Sequence, residues 1–469
     1  MHPSALAKRV YVFIVLIIIA FYVYGLGQLP LLGPDEPRYA QVAREMFLSG
    51  DFVTPTLGGF TWFEKPSLLY WMIAASFKVF GLSEWSARLG PALCGLLTIA
   101  AVAAVGREID RSFGFWSLVV TATCLGLIVF SRAVSFDVVV TMTTTWSLAC
   151  FLLRELTRKR VYLIGFYAFV GLSLLAKGLI GVVIPFGVVG VYYLLRRALP
   201  ERSVWLSLIW GVPLALAVSA IWYGPVIAKH GWAFIDEFFV QHHFARYVSN
   251  KYHHPQPVYF YPAIILMLAL PWTPFLVEAL IKARKWAWHG TDSLSVARGF
   301  SLAWLLAPIV FFSFSGSKLP GYILPALPAA ALLIADVLRR KKPAVLIAIA
   351  CGTGVLVLIA LTFFAGPYAH RESVRDLLAL GDARGYANAP VIALKSDDRS
   401  AQFYAYDRVV YNSQGEVVTF DEISVDEARA RGGKFLVLIP REYVENYRTS
   451  SGIEVIGDNG RTAILGWKP

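Results

Sequence analysis

Apolar runs recur along this chain from Val10 to near Ala365, and many are long enough to cross a hydrocarbon core of about 30 Å. A soluble all-helical protein would not need so many near-continuous apolar stretches. Runs of this length read as helices, about eleven of them, give or take about two. Composition agrees: 57% of the 469 residues are hydrophobic and only 16% charged, against roughly a quarter charged in soluble chains. The first run, Val10 to Gly27, ends on the bulky Tyr22-Val23-Tyr24-Gly25 and lacks a small-residue cleavage site. It reads as a retained span and not as a signal peptide.

The net charge of +12 is not the footprint of a nucleic-acid binder, because the basic residues sit in short joints between apolar runs. The joints are Lys8–Arg9, Arg154 with Arg158, Lys159 and Arg160, Arg196–Arg197, Lys282 with Arg284 and Lys285, and Arg339 to Lys342. They alternate with acidic, aromatic or nearly neutral joints, the positive-inside pattern. That pattern puts the N-terminus in the cytoplasm. It puts outside the Gln28–Trp85 loop, the turn at Asp137, the Lys177 region, the Ala228–Pro257 loop, the Ser315–Tyr322 turn and everything after Ala365. Cys94, Cys124, Cys150 and Cys351 all fall in apolar runs, where they read as packing residues with no disulfide or metal framework.

The expected fold is a polytopic α-helical membrane protein with two parts. Residues 1–365 form the membrane domain, with a first outer loop at 28–86, and 366–469 form a small α/β domain outside the membrane. In the tail, Val391–Leu394, Phe435–Ile439 and Ile453–Ile456 read as strands, and Glu372–Leu380 and Asp426–Arg431 as helices. Within the first outer loop, Tyr39–Phe47 reads as an amphipathic helix, with Ala40, Ala43 and Phe47 on one side and Arg38, Gln41, Arg44 and Glu45 elsewhere. Pro66–Phe80 is apolar but short for a span, and reads as a helix lying in the interface.

The candidate chemistry gathers in the outer segments. Asp35–Glu36 is framed by Pro34 and Pro37, which restrict the backbone and fix the pair near the bilayer surface. A carboxylate there acts as a general base or steadies positive charge; the plainer reading is a helix cap. Glu64–Lys65 reads either as a surface ion pair or as part of the site. Arg38, Lys65, Lys177 and Lys318 are cations on the side that positive-inside disfavours. A phosphate at the membrane surface supplies a reason for them, and snorkelling to headgroups is the alternative for any one. Asp137 opens a span from outside, as a functional carboxylate or a helix N-terminal charge. Gln241–Arg246 offers His242, His243 and Arg246. Neighbouring histidines on a helix diverge, which argues against a metal. His253–His254 is a loop, and Ser396-Asp397-Asp398 reads as a turn.

With those residues in place, the chain resembles the multi-span, polyprenyl-phosphate-dependent (GT-C type) glycosyltransferases. It is most similar to the bacterial aminoarabinose transferases that modify lipid A, and more distantly to protein O-mannosyltransferases. The resemblance rests on Gly33-Pro-Asp-Glu-Pro-Arg-Tyr-Ala40, Gly50-Asp-Phe-Val-Thr-Pro55, Phe63-Glu-Lys-Pro66, Trp85-Ser-Ala-Arg-Leu89, Ala176-Lys-Gly178, His243-Phe244 and Ser315-Gly-Ser-Lys-Leu-Pro320 followed by Tyr322. It implies that Asp35 is the key carboxylate and Asp137 a second one. Arg38, Lys65, Lys177, Lys318 and Arg246 would serve the donor phosphate, and Glu36, Tyr39 and Tyr322 the substrate. No cofactor is implied as required; Glu64 and His243 match positions where a relative holds a metal, with zinc the ion in question. His242 departs from the family, which usually has an acidic residue there.

The expected activity is inverting transfer of a sugar from an undecaprenyl-phosphate type donor to lipid A or another envelope glycan, at the bacterial inner membrane with the site facing outside. No Gly-rich nucleotide loop accompanies a cytoplasmic αβ unit, so the donor arrives on a lipid, and its phosphate leaves against Lys and Arg charge. A protein hydroxyl is the alternative acceptor. A transporter or flippase is the rival of another class, but transporters place ionisable groups near the midplane on broken helices, not at one face and in loops. Membrane lipids are the surrounding partners, and no nucleic acid is expected.

Overall fold

The computed structural model describes residues 5–238, 256–393, 399–412, 417, 430, 432–448 and 452–468. The chain is a multi-pass helical membrane protein. Among the described residues six helices are long and apolar enough to cross a bilayer: Glu84–Ile109, Phe136–Thr157, Arg202–Phe238, Ser293–Ser313, Pro320–Leu338 and Pro343–Arg371. The pair Arg111–Thr123 and Leu125–Ser131, bent by 56°, makes a seventh if it is one span. Shorter apolar helices cover Arg9–Val23, Leu68–Phe80, Val161–Lys177 and Ile180–Leu195, so a count near the expected one needs some of these to cross as well. At 13 residues, Leu68–Phe80 reaches only about 20 Å, in keeping with a helix that lies in the interface.

By contact the chain divides into two compact units. The first comprises Met1–Tyr24, Phe63–Leu69 and Leu89–Leu356. Its most enclosed helices are Phe136–Thr157 and Pro320–Leu338, whose most apolar stretches are 89% and 94% buried. Threonines in that buried core satisfy their hydroxyls on their own helix: Thr141 donates to the Asp137 carbonyl and Thr145 to the Thr141 carbonyl, both at 2.6 Å. Back-bonding of this kind lets a hydroxyl sit in an apolar environment without an orphan donor. Cys94, Cys124 and Cys150 are buried and free, as expected of packing residues, whereas Cys351 is exposed on its helix. One boundary differs from expectation. Ala228–Pro257 is not a loop throughout, because the helix from Arg202 continues to Ile235, broken at Gly231 with φ 56°.

The second unit comprises Gly25–Trp62, Tyr70–Arg88 and Val357–Pro469. The first long loop, apart from Phe63–Leu69, therefore shares one body with the tail. Its leading helix is Asp35–Ser49, four residues longer at its start than the amphipathic pattern indicated. Pro34 takes the N-cap position, and Asp35 and Glu36 occupy the first turn, where carboxylates meet the positive end of the helix dipole. Gln41, off the Ala40–Ala43–Phe47 side, is nevertheless buried. Glu45 pins the following hairpin: it accepts from Gln41 Nε2 at 2.9 Å, Thr56 Oγ1 at 2.7 Å, and the Gly58 and Gly59 N–H groups at 2.8 and 3.2 Å. The hairpin pairs β1 (Thr56–Leu57) with β2 (Phe60–Thr61). Gly58 and Gly59 both have positive φ, 64° and 83°, as a two-residue turn of this type requires.

The tail carries a four-stranded mixed sheet. Strand β3 (Val391–Ala393) runs parallel to β4 (Phe435–Pro440), and β6 (Thr462–Trp467) pairs antiparallel with both β4 and β5 (Ile453–Asp458). The three expected strands are present, and β6 is an addition. Its signal is the Asn459-Gly460 pair, a hairpin dipeptide between two apolar runs. One face of the sheet packs Leu436, Leu438 and Ile464 against Leu377 and Leu378 of the Arg375–Gly381 helix. The expected 426–431 helix lies outside the described residues except for Ala430, and so does Ser396-Asp397-Asp398.

Candidate functional site

Two groups of the expected residues come together, one in each unit. In the second unit Asp35, 53% exposed, receives the Arg38 guanidinium at 2.6 Å. Pro34 makes no side-chain cap. Arg38 is mostly shielded and lies 5.4 Å from the Tyr39 ring centroid and 5.3 Å from that of Trp62. Stacking on aromatic faces fixes a guanidinium plane while leaving its N–H edge able to bind an anion. Tyr39 is buried with its ring against Tyr70.

Glu36 has a different environment from its neighbour. It is 7% exposed and faces Arg88, whose Nε reaches Oε1 at 3.0 Å and whose Nη2 reaches Oε2 at 2.7 Å. Arg88 also donates to the carbonyls of Leu26, Leu29 and Pro30, each at 2.7 Å. The Leu32 N–H closes on Glu36 Oε2 at 2.8 Å. One arginine thus satisfies the backbone that leads into the acidic turn. Sequence alone does not single out Arg88, because a cation buried beside a carboxylate 52 residues away has no local signature.

In the first unit Asp137 and Lys177 form an ion pair. Ser135 caps the Phe136–Thr157 helix by accepting from the Asp137 N–H at 3.0 Å, so Asp137 stands in the first turn. Lys177 is the last residue of the Val161–Lys177 helix, where a cation is favoured by the dipole. Its ammonium lies 4.6 Å from the Tyr322 ring centroid. Gly321 makes the close approach possible: a Cβ there would stand 1.8 Å from Asp137 Oδ2. Both charged groups are under a fifth exposed.

Glu64 and Lys65 pair at 2.6 Å with side chains only 11% and 13% exposed, which is not a surface ion pair. The neighbouring Phe63 packs edge-on to His230 and Phe234, and its N–H approaches Glu237 Oε1 at 3.3 Å. Lys318 is buried, and its ammonium donates to the carbonyls of Ser315 at 2.8 Å and Gln256 at 3.0 Å. Those bonds shape the Ser315–Leu319 turn. His243 and Arg246, with His242 and His253–His254, lie outside the described residues. Among the described residues no three His, Cys, Asp or Glu side chains gather to hold a metal, and Glu64 is engaged by Lys65. The described residues therefore do not make a metal centre.

Sequence reasoning also passed over Arg132, which donates to the carbonyls of Phe21 at 3.0 Å and Tyr24 at 2.7 Å, and over Gly321. Arg132 had a signal, since it is one more cation on the disfavoured side. Gly321 had none, because the need for a missing side chain appears only when two distant elements meet.

Residues 64–223 match the family profile described as dolichyl-phosphate-mannose-protein mannosyltransferase. The chain is 30% identical over 372 residues to an undecaprenyl phosphate-alpha-4-amino-4-deoxy-L-arabinose arabinosyl transferase of Aeromonas salmonicida, covering 75% of this chain and 64% of that protein. It is 29% identical to the Shewanella sediminis protein of the same name, covering 84% and 73%, and 32% identical to that of Pseudomonas aeruginosa, covering 68% and 58%. The chain spans less than two thirds of the length of the Aeromonas and Pseudomonas relatives. Its fold is that of a crystal structure of ArnT from Cupriavidus metallidurans bound to undecaprenyl phosphate, with a TM-score of 0.80 over 98% of each chain at 23% identity. The apo form of that protein gives 0.81 over 99% of this chain and 98% of that one, at 22% identity.

Proposed function

We propose that this chain, a member of the multi-span, polyprenyl-phosphate-dependent glycosyltransferase family most similar to the aminoarabinose transferases, moves 4-amino-4-deoxy-L-arabinose from undecaprenyl phosphate to lipid A. The observation that carries the reading is a repeated one. Arg38 beside Asp35 and Lys177 beside Asp137 are each a cation at a helix end, set against an aromatic ring and paired with a carboxylate. A transporter reading fits less well, since Asp137 and Lys177 sit at helix ends and not in mid-span.

The chemistry follows from charge. The bond from the sugar C1 to the donor phosphate breaks, and its electron pair stays on the phosphate oxygen. Lys177, Lys65 and Arg38 meet that growing negative charge. The acceptor oxygen attacks C1 from the opposite face, which inverts the centre. A lipid A phosphate is already largely ionised at neutral pH, since the second pKa of a phosphomonoester is about 6, so it needs no base. Asp35 then balances the positive charge of an amino sugar and of the transition state at C1. Glu36 and Lys318 act on the backbone of the site: Glu36 through Arg88, Lys318 through the Ser315 turn. No step is routed through a metal.

The alternation of basic joints supports a cytoplasmic N-terminus, residence in the inner membrane and a site facing the periplasm. Mass spectrometry of lipid A, envelope glycans and envelope proteins from cells with and without this protein tests the assignment. A pentosamine-sized mass on lipid A that depends on the protein is the expected result. A protein-dependent sugar on envelope proteins instead would move the acceptor to a protein hydroxyl, and no change in any fraction would overturn the reading.

A further inference from the structure

The acidic turn that presents Asp35 is anchored from the far end of the chain. Leu31, fully buried, donates its N–H to the phenol oxygen of Tyr404 at 2.8 Å, across 373 residues of sequence. The Tyr404 hydroxyl in turn donates to Glu84 Oε1 at 3.0 Å, and Arg375 Nη1 reaches the same oxygen at 3.1 Å. Burial, with Glu84 close by, raises the Tyr404 phenol well above its ordinary range, so it keeps the proton it donates.

Further contacts join the same partners. Arg44, in the helix that begins at Asp35, donates to the Phe403 carbonyl at 3.0 Å and lies 4.0 Å from the Tyr406 ring centroid. The ring of Tyr411 closes on Gly58 so tightly that a Cβ there would stand 2.5 Å from it. The tail thus grips the first loop at its entry, along its helix and at its hairpin.

We propose that the C-terminal α/β domain is the clamp that holds the acidic turn, and that Tyr404 is a positioning residue for Asp35. The proposal rests on the glycosyl-transfer reading. Its physical basis is that Leu31 and Leu32 have their N–H groups taken by Tyr404 and Glu36 respectively, which fixes the backbone four and three residues before Asp35. Loss of one tie leaves the fold standing but lets the turn shift, and a misplacement of about 1 Å is enough to slow a reaction.

Tyr404→Phe tests this in the full-length protein, because it keeps the ring and removes only the hydroxyl. Tyr368→Phe, at an exposed site of the same unit, is the control. Steady-state transfer from a defined undecaprenyl-phosphate pentosamine and hydrogen exchange of the 29–36 amides are measured on both variants and the wild type. In Tyr404→Phe, which loses both the bond from Leu31 and the bond to Glu84, kcat should fall roughly three- to tenfold, the effect of the tie to Leu31, with the donor KM unchanged and the Leu31 amide exchanging faster. Unchanged kcat in Tyr404→Phe beside an active wild type, or unchanged exchange over 29–36, overturns the clamp alone. Inactivity of all three proteins, control included, overturns the glycosyl-transfer reading and the clamp with it.

Discussion

Glu36 and Arg88 meet in a buried two-point ion pair, with both carboxylate oxygens engaged at 3.0 and 2.7 Å, while the adjacent Asp35 stands half exposed beside Arg38. Two neighbouring carboxylates thus have opposite assignments: one builds the turn and the other is offered by it. Removing one partner of a buried pair strands the other charge and typically costs about 3–5 kcal/mol. Arg88→Met should therefore lower the thermal midpoint of the purified protein sharply. Arg88→Lys should recover only part, because an ammonium cannot replace a fork that also serves three carbonyls. A midpoint equal to wild type in Arg88→Met would contradict the structural assignment.

The phosphate assignments are tested by charge removal. On the proposed reading, Lys177→Ala, Lys65→Ala and Arg38→Ala should each lose a charge-assisted contact to the donor phosphate worth about 1.5–3 kcal/mol. That corresponds to a fall in donor kcat/KM of about ten- to 150-fold. Lys65→Arg should not restore it, since the two cations differ in shape. Donor kinetics that match wild type in all three alanine variants would remove the phosphate from this account.

Gly321→Ala is a separate test of the Asp137–Lys177 pair. The added methyl would enter the space of the Asp137 carboxylate, so the pair must move while neither charge is lost. Transfer should fall with little change in expression or melting. Wild-type activity would show that the position of Asp137 does not matter to the reaction.

One pH dependence is expected in the tail. Burial raises the Asp376 carboxyl, but hydrogen bonds from His370 and Arg375 outweigh it and hold the group below its ordinary value. A depressed carboxylate stabilises the fold above its unfolded pKa, about 3.9, and that contribution is lost as pH falls through the folded value. Asp376→Asn should therefore lower the midpoint at pH 6 and make little difference once Asp376 is protonated in acid. A gap between variant and wild type that stayed constant across this range would refute the coupling.

Much of the architecture was legible because it follows from short-range rules. Apolar length marked the spans, the proline frame marked the turn at Asp35, and cations on the disfavoured side marked Arg38, Lys65 and Lys177. What stayed hidden depends on pairs far apart in sequence. Nothing local distinguishes Glu36 from Asp35 until Arg88 arrives, and nothing in Ser400–Tyr404 announces a bond to Leu31. Lys318 carries the expected charge in the expected turn, and its ammonium also donates to two carbonyls, a use that charge pattern alone does not reveal. The burial of Gln41 is hidden for a related reason. Glu45, one turn on, supplies a partner for Gln41 Nε2, while Gln41 Oε1 is buried without one among the described residues.

The central claim is that an exposed carboxylate in this turn serves sugar transfer from a lipid phosphate, and Asp35→Asn tests it most directly. Asn keeps the size and removes the charge, so the fold should survive, as thermal melting can verify. Transfer from a defined undecaprenyl-phosphate 4-amino-4-deoxy-L-arabinose to lipid A is then measured for the purified wild type and variant. The account predicts transfer by the wild type and its near abolition in Asp35→Asn with an unchanged melting midpoint. No transfer by the wild type, or turnover in the variant close to it, would contradict the account.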